Sequence, residues 1–201
     1  MRIQEFTFTM KDGRAALVRS PEEQDVIPML DYLRTVAGET DFLLNYPEET
    51  SKYTPEGEKA LFERVNSSDL EAMLICFVNG TIAGNCMITF NSRIKTRHRA
   101  SVAIALKREF WSLGIGTRLM QEMIRIAEEK DYVTQLELDF IEGNLRAKAL
   151  YEKMGFKVVA VRPDAIRLKD GTLLAEYSMV RKMSTDCRSC TIPESDPCCQ
   201  G

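Results

Sequence analysis

The chain has 201 residues, of which 44% are hydrophobic and 28% charged, a globular composition that excludes wholesale disorder. Its 27 Lys plus Arg against 30 Asp plus Glu leave a net charge of −3, which argues against nucleic acid as a partner, because counterion release needs a basic surface. No apolar run approaches the roughly 18 residues of a membrane span, and the opening Met-Arg-Ile-Gln-Glu-Phe lacks the apolar centre of a signal peptide. A cytoplasmic protein acting away from membranes is therefore expected. The single histidine, His98, excludes a two-histidine metal site, and no metal is expected.

Short apolar stretches at residues 5–10 and 14–19 flank Lys11-Asp12-Gly13, a hairpin signal. Ser20-Pro21-Glu22-Glu23 predicts a helix start with Ser20 as cap, and Val26, Leu30 and Leu33 carry that helix's apolar face. Residues 37–54 lack a period and are expected as a loop or broken helix. A second helix runs from Pro55 to about Asn66, with Ala60, Leu61 and Val65 inward. Ala72–Val78 and Thr81–Phe90 are apolar runs around Asn79-Gly80, the strongest short hairpin signal, and Ala100–Leu106 pairs next. Residues 114–129 have helical spacing through Leu119, Met123, Ile126 and Ala127, and 133–140 alternate as a half-buried strand. Residues 145–154 form a short helix, and 156–168 and 172–180 close a hairpin around Lys169-Asp170-Gly171. This order predicts an α/β (α+β) fold: a mixed, mostly antiparallel central sheet of about seven strands flanked by about four helices. Residues 1–183 are expected as one domain and the aperiodic 184–201 as a tail.

Two stretches carry chemistry. Residues 106–120 run from a strand through a loop into a helix at Gly114-Ile115-Gly116. Glycines there allow close backbone approach, and the free N–H groups and dipole of a helix start favour an anion such as a diphosphate. The same residues also make a plain turn. In the second stretch, residues 142–156, Asn144 is a good N-cap and Gly155 a good stop. Seven residues make about two turns, so Asn144, Lys148 and Tyr151 share one face, while Ala147, Leu150 and Met154 share another.

Together these stretches resemble the GNAT superfamily of acyl-CoA-dependent N-acetyltransferases. The family's Asn-x-x-Ala-x-x-Leu-Tyr-x-Lys-x-Gly-Phe pattern is matched at Asn144, Ala147, Leu150, Tyr151, Lys153, Gly155 and Phe156. Its Gln/Arg-x-x-Gly-x-Gly pattern is matched at Gly114 and Gly116, with Trp111 where Gln or Arg is usual. The resemblance, which extends from about residue 14 to 182, implies acetyl-CoA as co-substrate. The strand at Ile104 and Leu106 would pair with the pantetheine arm. The loop of Trp111, Ser112, Leu113, Gly114, Ile115, Gly116 and Thr117 would hold the diphosphate through main-chain N–H groups, and Asn144 would bond the arm. Tyr151 would be the general acid that protonates the departing thiolate, since an ordinary phenol stays protonated at neutral pH. The implied reaction is direct attack of a primary amine, of a small molecule or a protein N-terminus, on the thioester. The alternative is a catalytically inactive acyl-CoA-binding sensor or scaffold, and a homodimer is an open option.

Glu137 is the first candidate for the base that takes the amine's proton, with Asp139, Glu39 and Asp41 as alternatives. Residues 37–54, where the family builds its acceptor site, hold Glu39, Asp41, Glu48 and Glu49 against Lys52, so a cationic amine near Glu39 and Asp41 is the electrostatic expectation. Arg93, Lys95, Arg97, His98 and Arg99 form a basic turn expected to be a solvated hairpin. Cys187, Cys190, Cys198 and Cys199 in the tail are expected as reduced thiols, and Cys76 and Cys86 as small core hydrophobes.

Overall fold

The computed structural model describes residues 1–183. Cys187, Cys190, Cys198 and Cys199, expected as reduced thiols, lie outside these residues. The described residues form one sheet of eight strands, one more than expected, with four α-helices and three short 3-10 segments. The strands are β1 (Phe6–Thr9), β2 (Ala15–Arg19), β3 (Glu71–Val78), β4 (Thr81–Phe90), β5 (Arg99–Leu106), β6 (Gln135–Ile141), β7 (Lys157–Arg167) and β8 (Leu173–Lys182). The helices are α1 (Val26–Glu39), α2 (Pro55–Ser67), α3 (Ile115–Glu128) and α4 (Leu145–Lys153). Strands are ordered β1-β2-β3-β4-β5-β6-β8-β7, and only β5 and β6 pair in parallel.

The predicted hairpin at Asn79-Gly80 is present, with φ of 50° and 77°. Both residues therefore take the left-handed conformation that matches the twist of a two-residue β-turn. Two local expectations fail. Ser20 does not cap α1; its hydroxyl accepts Ile3 N–H at 2.9 Å, and a 3-10 turn at Glu23–Asp25 precedes the helix. Asp25 is 3% exposed, and Arg19 grips both its oxygens at 2.6 and 2.8 Å, so the chain turns into α1 around this ion pair. The buried stripe of α1 is Val26, Met29, Tyr32 and Val36, while Leu30 lies at the margin. In α2 the inward residues are Phe62 and Val65, not Ala60.

Two cores lie on opposite faces of the sheet. Leu74, Cys86, Ile88, Val102, Leu136, Leu138 and Met179 pack with the α3 residues Leu119, Met120, Met123 and Ile126. Met73, Ile75 and Ile82 pack with α1 and α2 on the other face. Those two helices cover only the half of the sheet ending at β4. On that face the β5, β6 and β8 residues Ser101, Ala103, Glu137, Asp139 and Ser178 have no helix among the described residues above them, and Ser101, Ala103 and Asp139 are exposed.

Candidate active site

The ladder between β4 and β5 runs to Gly84↔Leu106, but that between β5 and β6 ends at Ser101↔Glu137. On its other edge β6 stays paired with β8 as far as Ile141↔Glu176. Two strands held on their outer edges thus part along their inner ones. His98 O accepts Thr134 N–H and Gln135 N–H at the fork. By alternation the main-chain groups of Val102 and Ile104 face the gap that follows. These are hydrogen-bonding groups of a strand without a strand beside it, so an extended ligand arm can complete the ladder.

The gap opens into a cleft of about 1690 Å³, bordered by β4–β6, β8, the N-terminus of α3, α4 and the loop after α1. That exceeds the roughly 300–1,000 Å³ of a pocket for one small ligand and leaves room for two reactants. At one end Gly114 has φ 97° and serves as the N-cap of α3. Ser112 also has a positive φ, 65°. The tight loop therefore presents the partnerless first-turn N–H groups of α3 to the cleft. A side chain at Gly116 would begin 3.1 Å from Leu150 and 3.3 Å from Leu106, so glycine lets α3 approach both β5 and α4.

Trp111, Ser112, Gly114, Gly116, Thr117, Asn144 and Tyr151 line this cleft together with Ile104 and Leu106. Leu113 and Ile115 belong to the same loop but turn elsewhere; Leu113 packs against the core, and Ile115 is fully buried. Trp111 donates its indole N–H to Leu106 O at 2.9 Å. The Arg146 guanidinium lies 4.7 Å from the indole centroid, that of Arg108 5.6 Å, and Arg146 also bonds the Ser112 hydroxyl. Lys11, whose N–H donates to Leu113 O at 3.1 Å, enters the same end of the cleft from the β1–β2 turn. Cations beside a ring of free N–H groups make this end fit an anion. Neither Lys11 nor Arg146 was singled out from the sequence, because nothing local marks a turn lysine that the fold carries to a helix N-terminus.

Asn144 caps α4: its Oδ1 accepts Ala147 N–H at 3.1 Å, which leaves the amide NH₂ for the cleft. One turn on, Tyr151 is only 6% exposed, its ring tilted against Phe140 and Phe156 at centroid distances of 6.3 and 6.2 Å. Burial pushes its phenol up to about 12, and no charge or hydrogen bond among the described residues offsets that shift. Its neutral phenol belongs to the lining of the cleft into which the β5–β6 gap opens.

The candidate bases separate. Glu137 is bound at both oxygens by Arg99 and again by Gln135. Partial burial pushes its carboxyl up, but these hydrogen bonds outweigh it and hold the group below the usual range, the opposite of what a base needs. Asp139 accepts the Ser178 hydroxyl at 2.6 Å and, among the described residues, forms no ion pair. Glu39 and Asp41 do not line the main cleft. They border an adjoining hollow of about 410 Å³ that shares Ala37, Thr40 and Phe42 with the cleft, and there Glu39 accepts Arg108 N–H at 2.6 Å. Glu39 and Asp41 thus stand beside the cleft, next to its lining residues Thr40 and Phe42, rather than along it. No group of three or more His, Cys, Asp or Glu among the described residues is arranged to hold a metal.

The family model of the acetyltransferase (GNAT) family matches residues 40–156. The L-amino acid N-acetyltransferase AaaT of Escherichia coli (strain K12) is 26% identical over 108 residues, 54% of this chain, and the match spans just under two thirds (66%) of that relative's length. A GNAT-family acetyltransferase from Streptococcus pneumoniae superposes with a TM-score of 0.78 at 28% identity, covering 84% of this chain and 99% of that one. The yncA protein of Salmonella typhimurium, solved with acetyl-CoA, superposes at 0.70 with 16% identity, covering 90% and 99%. The family match takes in more than half of the 201 residues, including the fork of β5 and β6 and the Tyr151 helix, and this chain belongs to the GNAT family of acetyltransferases.

Proposed function

We propose that the protein is an acetyl-CoA-dependent N-acetyltransferase acting on a primary amine, with Tyr151 as general acid. The observation that carries this reading is the buried, uncharged Tyr151 phenol in the lining of the cleft into which the gap beside β5 opens. A module that only bound acyl-CoA would have no need of a proton donor there.

The residues present fit the cofactor. Main-chain groups of Val102 and Ile104 would pair with its arm, and the free Asn144 amide NH₂ would donate to the arm. The N–H groups of 112–117, with Lys11 and Arg146, would hold its diphosphate. The cofactor supplies the acetyl group as an activated thioester. Tyr151 Oη gives its proton to the departing sulfur. Asp139, the cleft carboxylate nearest the fork that is not tied to a cation, holds the ammonium and passes its proton to water. Glu137 instead serves as the anionic half of the Arg99 pair.

Calorimetric titration with acetyl-CoA and a thiol-release assay test this reading together. Micromolar, one-to-one binding is expected. Tyr151→Phe should lower turnover about 10²–10⁴-fold, the range of general acid catalysis, with affinity kept within about threefold. Unchanged turnover would remove Tyr151 from the acid role.

A further inference from the structure

The acids of residues 37–54 suggest a cationic acceptor, but none of them lines the cleft. Glu39 accepts Arg108 N–H, Glu48 pairs with Lys169, and Glu49 Oε2 accepts Tyr46 N–H at 2.8 Å. Asp41 borders the adjoining hollow. What this segment shows the cleft is uncharged: Ala37, Phe42, Leu43 and Leu44 beside the polar Thr40, Asn45, Thr50 and Tyr53. Phe42 and Leu43 line it with Leu33 of α1, Met73 of β3 and Met87 of β4, and no charged residue of α1, β3, β4 or residues 40–53 joins them.

The same segment is also a strap. At one end a side chain at Gly143, just before α4, would begin 3.5 Å from the Phe42 ring. Further along, Lys169 N–H of the β7–β8 turn donates to the Tyr46 hydroxyl at 3.1 Å, and the Lys169 ammonium lies 4.2 Å from the Tyr46 ring centroid. Residues 40–53 thus leave α1 and are anchored on the far side of the cleft. Inside, Asn45 donates to the Tyr53 hydroxyl at 2.9 Å, tying the strap to itself.

Charge bookkeeping across the cleft completes the picture. Its three lining carboxylates are Glu137, Asp139 and Glu176. Glu137 is matched by Arg99 and Glu176 by Arg162, so only Asp139 is left without a cation among the described residues. One unmatched carboxylate suits one ammonium. A polyamine would bring further positive charges to a wall of apolar and neutral polar side chains that holds no carboxylate, and each would lose hydration without an anionic partner.

We propose that the acceptor is a small monoamine with an uncharged apolar substituent, seated beneath the strap between Leu33, Phe42, Leu43, Met73 and Met87. This rests on the transferase reading and narrows it. The methionines give the wall an adaptable surface that tolerates several apolar shapes.

The test measures kcat/KM at saturating acetyl-CoA for L-leucine, 3-methylbutylamine, spermidine and a ten-residue peptide with a free N-terminus. At least one of the first two should exceed both spermidine and the peptide by about tenfold or more, a margin two buried methylenes supply. Met87→Glu should lower that preferred activity at least about tenfold and leave acetyl-CoA affinity unchanged. Leu43→Glu, on the strap rather than the sheet, provides the same reading if the first variant does not fold. Spermidine or the peptide as the best acceptor would overturn the inference, as would failure of both apolar amines in a protein that binds acetyl-CoA. Absence of acetyl-CoA binding would overturn the transferase reading itself, which separates the two failures.

Discussion

Ser101 of β5 and Glu137 of β6 are opposed as the last rung before the two strands part, and the Arg99–Glu137 ion pair lies at that rung. Only three rungs join the strands, Arg99↔Gln135 to Ser101↔Glu137. Since β4 and β8 hold the outer edges past this point, the fork does not depend on flexible chain. The ion pair fastens the crotch of the fork just where backbone pairing gives out.

That role distinguishes Glu137 from a base. Glu137→Gln keeps an acceptor for Arg99 but removes its charge. We expect turnover within about threefold of the parent and a stability loss of about 1 kcal/mol, the scale of a half-exposed ion pair screened by solvent. Urea denaturation and steady-state rates check both. A collapse in turnover with stability intact would return Glu137 to the base role.

The pH profile follows from Tyr151. Its folded phenol titrates at about 12, above the ordinary phenol near 10, because burial disfavours the anion. The proton donor is therefore present throughout the neutral range, and any alkaline fall in kcat caused by its loss begins above about pH 11. The same shift contributes to stability below about pH 10, and that contribution is lost as pH rises toward 12. Tyr151→Phe should abolish this alkaline limb while leaving the acid side of the profile in place.

At the anion end, Arg146 touches both Trp111 and Ser112. Arg146→Ala removes a cation and frees the indole, so acetyl-CoA affinity should fall about tenfold, and less at high salt because exposed charge is screened. Dephospho-CoA, desulfo-CoA and acetyl-CoA titrations at two ionic strengths measure this. Equal losses at 20 and 500 mM salt would assign the effect to Trp111 packing rather than to charge.

Away from the site, Asp25 stands between β2 and α1. Asp25→Ala would leave the largely buried Arg19 guanidinium with only the half-exposed Glu22 carboxylate at 3.7 Å and Ser20 O at 3.1 Å, and Glu22 N–H without its 2.8 Å acceptor. A loss of about 3 kcal/mol is expected, the scale of breaking a buried pair on one side. Thermal unfolding should report it, with acetyl-CoA affinity unchanged well below the transition.

Much of the fold was legible before any coordinates. Asn79-Gly80 marks its hairpin because the two-residue turn demands left-handed backbone there, and Leu119, Met123 and Ile126 mark α3 because a buried stripe needs helical spacing. The pattern around Asn144, Tyr151 and Gly155 was local for the same reason: cap, inward face and stop lie within twelve residues. One relationship was near in sequence yet unmarked, and three were not local. The Ser20 cap failed because the Arg19–Asp25 pair, with 2.6 and 2.8 Å contacts, redirects the chain into a 3-10 turn first. The tie of Glu137 to Arg99, the arrival of Lys11 beside Gly114, and the engagement of Glu39 by Arg108 and of Glu48 by Lys169 each join residues that the fold brings together from distant parts of the chain. Sequence by itself determined which residues form helices, turns and strands, because those choices rest on period, caps and backbone freedom. Tertiary structure alone decided which carboxylates stay unmatched and which wall an acceptor meets, because pairing and burial are properties of neighbours that the chain order does not name.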